Sequence, residues 1–165
     1  MTDQELLELA ERVGATLLKR RWRLATAESC TGGFVAKTLT DVPGSSQWFE
    51  CGYVTYSNGA KVRDLGVEAA TLARHGAVSE ATAREMATGA LRVADVNVAV
   101  AITGIAGPDG GLPGKPVGTV WFSTALRLDN HVQVASSLAH FSGDRDAVRR
   151  LSVHYALKLI LGLKS

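Results

Sequence analysis

Four stretches of this chain combine residue types that could do chemistry. Ser29-Cys30-Thr31-Gly32-Gly33 follows the short apolar run Leu24–Ala27 and precedes the helix-like Phe34–Leu39. Amides at a helix start suit a phosphate or a developing oxyanion, and paired glycines let a ligand come close to the backbone. A serine there can be a nucleophile; equally, Ser29 or Thr31 can simply cap the helix. The second stretch is Tyr53-Val54-Thr55-Tyr56-Ser57-Asn58-Gly59-Ala60-Lys61. Read as a strand over 51–56, it puts Tyr53 and Tyr56 on opposite faces, with Tyr56 at the strand end. Lys61 falls in the first turn of a short helix, where the helix dipole disfavours a cation by about 0.3–1 kcal/mol. A solvated surface lysine is the simpler reading of that position.

The third stretch is the Gly/Pro loop from Thr103-Gly104 through Asp109-Gly110-Gly111 to Lys115-Pro116-Val117-Gly118. A loop of this length is usually functional or mobile. Thr103 can bond a ligand or merely end its strand. Fourth, Arg145 and Arg149 stand four apart at the start of a helix, on one face. An anionic ligand would offset the cost of cations at that end, and local pairing with Asp144 and Asp146 would do the same. His75, His131, His140 and His154 lie on unrelated elements, so no zinc spacing and no Ser-His-Asp triad is legible. The remaining base for a serine is a lysine or tyrosine. Cys30 is the adjacent rival nucleophile.

These stretches need a scaffold that brings them together. Thr2 and Glu5 have capping-box spacing, and Leu6, Ala10, Val13 and Leu17 mark an amphipathic helix to about Arg21. Val96–Thr103 is a continuous apolar run, read as a central strand buried on both faces. Ser79 caps a helix carrying Ala83, Met86, Ala87, Ala90 and Val93. Residues 120–126 and 131–141 read as an antiparallel hairpin, and Asp144 caps a final helix. Early strands alternating with helices, then a hairpin, predict an α/β fold with a mixed sheet. In such sheets ligands bind outside the carboxyl ends of the strands, so the loops at 28–33, 57–61 and 103–118 are expected on one rim.

Composition narrows the choices. A chain of 165 residues with 46% hydrophobic and 21% charged residues is expected to fold as one domain over 1–165. Eighteen basic against sixteen acidic residues give net charge +2, with no stripe for nucleic acid or a membrane surface. Two cysteines outside any Cys-x-x-Cys pair and an acidic start, Asp3 and Glu5, predict a cytoplasmic location. The oligomeric state is left open, a homodimer being the commonest assembly.

Taken in order, Thr26-Ala-Glu-Ser-Cys-Thr-Gly-Gly, Tyr53-Val-Thr-Tyr-Ser-Asn with Lys61, Gly76-Ala-Val-Ser, Thr103-Gly-Ile-Ala-Gly-Pro, Lys115-Pro-Val-Gly-Thr and Phe141-Ser-Gly-Asp-Arg-x-x-Val-Arg149 resemble the CinA C-terminal domain family. The likeness spans nearly the whole chain and is closest to the family's single-domain form. It implies a three-layer α/β/α sandwich with a mixed, mostly parallel sheet. It also implies hydrolysis of the carboxamide of nicotinamide mononucleotide to nicotinate mononucleotide and ammonia, in pyridine-nucleotide recycling. No metal or other cofactor is called for. The resemblance assigns Ser29 as nucleophile and Lys61 as its base, with Tyr56 as hydrogen-bond partner of the pair. Cys30, Thr31, Gly32, Gly33, Asn58, Thr103, Gly104, Arg145 and Arg149 are the expected substrate contacts. If the 30–33 amides serve the oxyanion, the phosphate should fall to the 104–111 glycines and to Arg149. Bringing a lysine from ~10.4 to near neutrality requires about 4 kcal/mol of differential stabilisation, for which burial and a nearby Arg145 are the expected sources. Asp109 departs from a uniformly glycine-rich loop and puts an acid near a site for an anionic substrate. The alternative is a catalytically silent nucleotide-binding domain of the same family, which would bind the nucleotide without releasing ammonia.

Overall fold

The computed structural model describes residues 1–164. Five strands form one sheet: β1 (Leu24–Glu28), β2 (Phe49–Val54), β3 (Val98–Gly104), β4 (Thr119–Arg127) and β5 (Val132–His140), in the order β2-β1-β3-β4-β5. β1 pairs parallel with both β2 and β3, whereas β3–β4 and β4–β5 are antiparallel. Only β4 therefore runs against the rest, so the sheet is mostly parallel in strand direction and evenly mixed in its ladders. Six helices accompany it: α1 (Asp3–Arg20), α2 (Phe34–Thr40), α3 (Asn58–Leu65), α4 (Ala69–His75), α5 (Glu80–Val93) and α6 (Arg145–Leu161). None is long and apolar enough to cross a membrane among the described residues.

The capping signals act as their residue types dictate. Thr2 and Glu5 form the reciprocal capping box of α1. Ser57, Ser79 and Asp144 cap α3, α5 and α6 by accepting the amides of Ala60, Thr82 and Ala147. A single 3-10 turn fills Ser45–Gln47, where Pro43-Gly44-Ser45-Ser46 reads as a turn, whereas α4 buries none of its residues and lacks a side-chain cap, so it leaves no amphipathic pattern. The strand expected over 51–56 begins and ends two residues earlier, at Phe49 and Val54.

The apolar run of β3 looks uniform in sequence but alternates in size. Val98, Val100 and Ile102 face one core with Leu6, Val13 and Leu17 of α1 and Val153 and Leu157 of α6. Ala99 and Ala101 face the other, with Ala25 and Ala27 of β1 and Met86, Ala87 and Ala90 of α5. Small residues on both partners let α5 lie close to the sheet. At Gly89 of α5 a Cβ would sit 2.1 Å from the Leu65 carbonyl oxygen, so only glycine allows α3 to cross α5 there. That contact fixes the end of α3 and, with it, Lys61.

Candidate active site

β1 and β3 point their carboxyl ends at the same rim, and the turn leaving β1 begins with Ser29. The Ser29 amide donates to the Ile102 carbonyl of β3 at 2.9 Å, so the residue is fixed from its backbone outward. Lys61 comes up from α3 with no exposed surface. Its Nζ lies 3.1 Å from Ser29 Oγ, 2.7 Å from the Thr55 carbonyl oxygen and 3.3 Å from that of Tyr56. An ionised lysine has three N–H donors, and these acceptors take all of them. Burial lowers the Lys61 pKa from 10.5 to about 8, with Cys30 acting in the opposite sense. The expected contribution from Arg145 is absent among those causes. The simple reading of Lys61 as a surface lysine is overturned.

Ser29 opens into a cavity of about 300 Å³ lined also by Cys30, Tyr56, Ala77, Val78, Thr103, Gly104, residues 105–107, Asp109, Gly110 and Arg145. Thr103 and Gly104 thus lie where the sequence put them. The Thr103 hydroxyl is already spent on the Ala77 carbonyl at 2.8 Å, tying the 76–79 segment to the cavity wall. A Cβ on Gly104 would meet the Thr119 carbonyl oxygen at 2.7 Å, so this position is glycine because β4 is so near. Ala77, Val78 and Thr55 fall within the quoted motifs but are not among the expected site residues. They act through backbone or shape, and no reactive side chain marks them.

Several expected contacts take other places. Thr31 is fully buried and Gly32 and Gly33 face away from the cavity. The two glycines, at φ +59° and +91°, instead allow the left-handed turn that leads into α2. The amides at the start of α2 are not free for a ligand. Glu28, with no exposed surface, accepts the Val35 and Ala36 amides at 2.8 and 3.0 Å and the Thr26 hydroxyl at 3.3 Å. It does the work of the side-chain cap that Gly33 cannot supply. Within the turn the Gly32 amide donates to the Ser29 carbonyl and that of Phe34 to the Thr31 carbonyl, and neither bond uses the amides of Cys30 or Thr31.

Tyr56 touches Lys61 only through its carbonyl. Its hydroxyl accepts from Arg145 Nη2 at 3.0 Å, and its ring is largely exposed at the cavity mouth. Asn58 is the exposed first residue of α3, away from the cavity. Arg145 also donates to the Gly107 carbonyl at 2.8 Å, joining α6 to the 104–118 loop. Arg149, one turn on, does not join it. It reaches the far side of the 29–33 turn, donates to the Thr31 carbonyl at 2.9 Å and lines a separate cleft with Phe34, Lys37 and Arg150. The carboxylates read as neighbours of these arginines are otherwise engaged, Asp146 with Arg150 and Asp144 with the Ala147 amide. Cys30 is 6% exposed, and burial, aided by Glu28, raises its thiol to about 12.

Fold and site together define an α/β/α domain with its polar cavity at the carboxyl ends of parallel strands and a buried lysine against a serine. The model of the CinA C-terminal domain matches residues 6–163, and the chain belongs to that family. It is 56% identical over 160 residues to nicotinamide-nucleotide amidohydrolase PncC of Escherichia coli (strain K12), covering 97% of this chain and 95% of the relative. The PncC of Pseudomonas putida is 49% identical over 155 residues, covering 94% of each chain. The crystal structure of competence damage-inducible protein A from Klebsiella pneumoniae superposes with a TM-score of 0.90 at 42% identity, over 95% of this chain and 96% of that one.

Proposed function

We propose that this protein hydrolyses the carboxamide of nicotinamide mononucleotide, using Ser29 as nucleophile and Lys61 as its base. The observation that carries the dyad is the 3.1 Å approach of a buried Lys61 Nζ to Ser29 Oγ. The substrate comes from the PncC relatives named above. With its pKa near 8, about a tenth of Lys61 is neutral at pH 7. The Thr55 and Tyr56 carbonyls hold two N–H groups, so the lone pair freed on deprotonation faces Ser29. Ser29 Oγ attacks the carboxamide carbon as its proton passes to Lys61. The oxyanion forms beside the amide of Cys30, which lines the cavity next to Ser29. Lys61 returns the proton to the departing nitrogen, and ammonia leaves with cleavage of the C–N bond. Water then attacks the acyl ester, giving one proton to Lys61, which passes it to Ser29 Oγ. The released acid ionises to nicotinate mononucleotide. Arg145, at the cavity rim, is the cation for the 5′-phosphate, a role that Arg149 cannot fill from its separate cleft.

Ser29→Ala and Lys61→Ala should each lower ammonia release from nicotinamide mononucleotide by 100-fold or more, on the order expected for a nucleophile or its base. Folded variants with near wild-type rates would refute the dyad. Arg145→Ala should raise KM more than it lowers kcat, as when uniform binding is lost.

A further inference from the structure

The cavity beside Ser29 has two charged side chains on its lining, and they differ in sign. Arg145 donates to the Gly107 carbonyl and the Tyr56 hydroxyl and keeps further N–H donors for an anion. Asp109 takes part in none of the ion pairs among the described residues. The one lysine of its loop, Lys115, donates to the His75 carbonyl at 3.0 Å. The loop is held in shape on both sides of Asp109. Gly107 is bonded by Arg145, and a Cβ there would lie 2.6 Å from Val117 Cγ1. Leu112 and Lys115 exchange backbone hydrogen bonds at 2.9 and 2.8 Å, and the Gly118 amide donates to the Ile105 carbonyl at 2.8 Å.

Asp109 is exposed and solvated in the free protein, but beside a bound mononucleotide its carboxylate is the wrong sign for the phosphate and the right one for a cationic part of the ligand. Nicotinamide attached through its ring nitrogen to ribose is a pyridinium, with a fixed positive charge two bonds round the ring from the carbon that bears the carboxamide. With the carboxamide at Ser29, that charge lies inside the same cavity. Tyr56 is the only aromatic residue lining it, and an aromatic face also attracts a cation. We infer that Asp109, supported by the Tyr56 ring, recognises the positive charge of the pyridinium and makes the site specific for N-substituted, cationic carboxamides. This rests on the amidohydrolase reading above. The cavity then matches its ligand at both ends, with Arg145 toward the phosphate and Asp109 toward the ring.

The test uses two ligands of one shape. Nicotinamide mononucleotide carries the ring charge. Benzamide riboside 5′-phosphate has carbon in place of the ring nitrogen and is neutral there. Binding is measured calorimetrically on Ser29→Ala protein, with and without Asp109→Asn. With Asp109 present, the charged ligand should bind about two- to fivefold tighter, the range for an exposed charge or cation–π contact. Asp109→Asn should cut that preference to the share the Tyr56 ring supplies and leave the neutral ligand's affinity unchanged. In the Ser29 background, Asp109→Asn should raise KM with kcat held. An undiminished preference, or an equal weakening of both ligands, overturns the assignment. If wild-type protein releases no ammonia from nicotinamide mononucleotide and Ser29→Ala binds neither ligand, the amidohydrolase reading itself falls, and this inference with it.

Discussion

Lys61 is a residue whose surroundings act on it in opposite directions. Burial disfavours the ammonium, while two carbonyls and the Ser29 hydroxyl accept its protons, and burial wins, leaving the pKa near 8. Under the proposed mechanism the base works only when neutral, so the sign of the pH effect is fixed. kcat/KM should climb about tenfold per unit below pH 8 and level off above it, as a pH series of ammonia release would show. Cys30 is left out of the proposed attack, because its buried thiol, pushed up to about 12, stays protonated throughout that range. Iodoacetamide at pH 8 should therefore leave the rate unchanged. A second pH limb removed by alkylation would assign the nucleophile to Cys30 instead.

At the scale of elements, Glu28 decides what the start of α2 can do. A seven-residue helix entered through a glycine has no side-chain cap of its own, and the last residue of β1 supplies one from below. Both carboxylate oxygens are used, so the amides of Val35 and Ala36 are closed to substrate and the turn above them is fixed. Glu28→Gln keeps the shape but sets an amide NH₂ against one of those N–H donors. It should cost about 2–3 kcal/mol, since a buried donor loses its acceptor. Thermal unfolding would register that as roughly 5–10 °C in Tm. An unchanged Tm would show that the cap is dispensable. α6 acts differently, since its first residue, Arg145, bonds the loop that roofs the cavity while its next turn, at Arg149, braces the outside of the Ser29 turn.

Across the whole molecule, burying Lys61 carries a cost in stability. Lys61 binds its proton less tightly in the fold than in the unfolded chain. Stability therefore carries the full cost below pH 8 and recovers as pH rises toward the ordinary lysine value. Between pH 8 and 9 this gain is about 1 kcal/mol. Urea unfolding of wild type and Lys61→Met at those two pH values isolates it, because every other titrating group is common to both. Wild type should gain on Lys61→Met by that amount, and parallel behaviour would mean that Lys61 is not desolvated. The two cores, large aliphatics on the α1 and α6 side and alanines on the α5 side, clamp the sheet from both faces and hold the rim in place.

Local chemistry alone specified much of this protein. Thr2, Ser79 and Asp144 mark helix starts because a side-chain oxygen needs only residues two or three positions away to act as a cap. The strand–loop pattern placed the glycine-rich turns after β1 and β3 for a similar reason, since period and punctuation are short-range properties. Partnership between loops is not. Ser29 and Lys61 are 32 positions apart and Tyr56 and Arg145 are 89 apart, and only the order β2-β1-β3 and the packing of α3 on α5 bring each pair together. The same holds for the separations. Arg145 and Arg149 share a helix face in sequence, yet the Ser29 turn rises between them and sends each to a different cleft. Glu28 shows the limit most plainly. As a residue type it is an acid near a nucleophile, and its role as a helix cap exists only once β1 delivers it beneath the start of α2, because burial and hydrogen-bond supply are properties of the assembled neighbourhood.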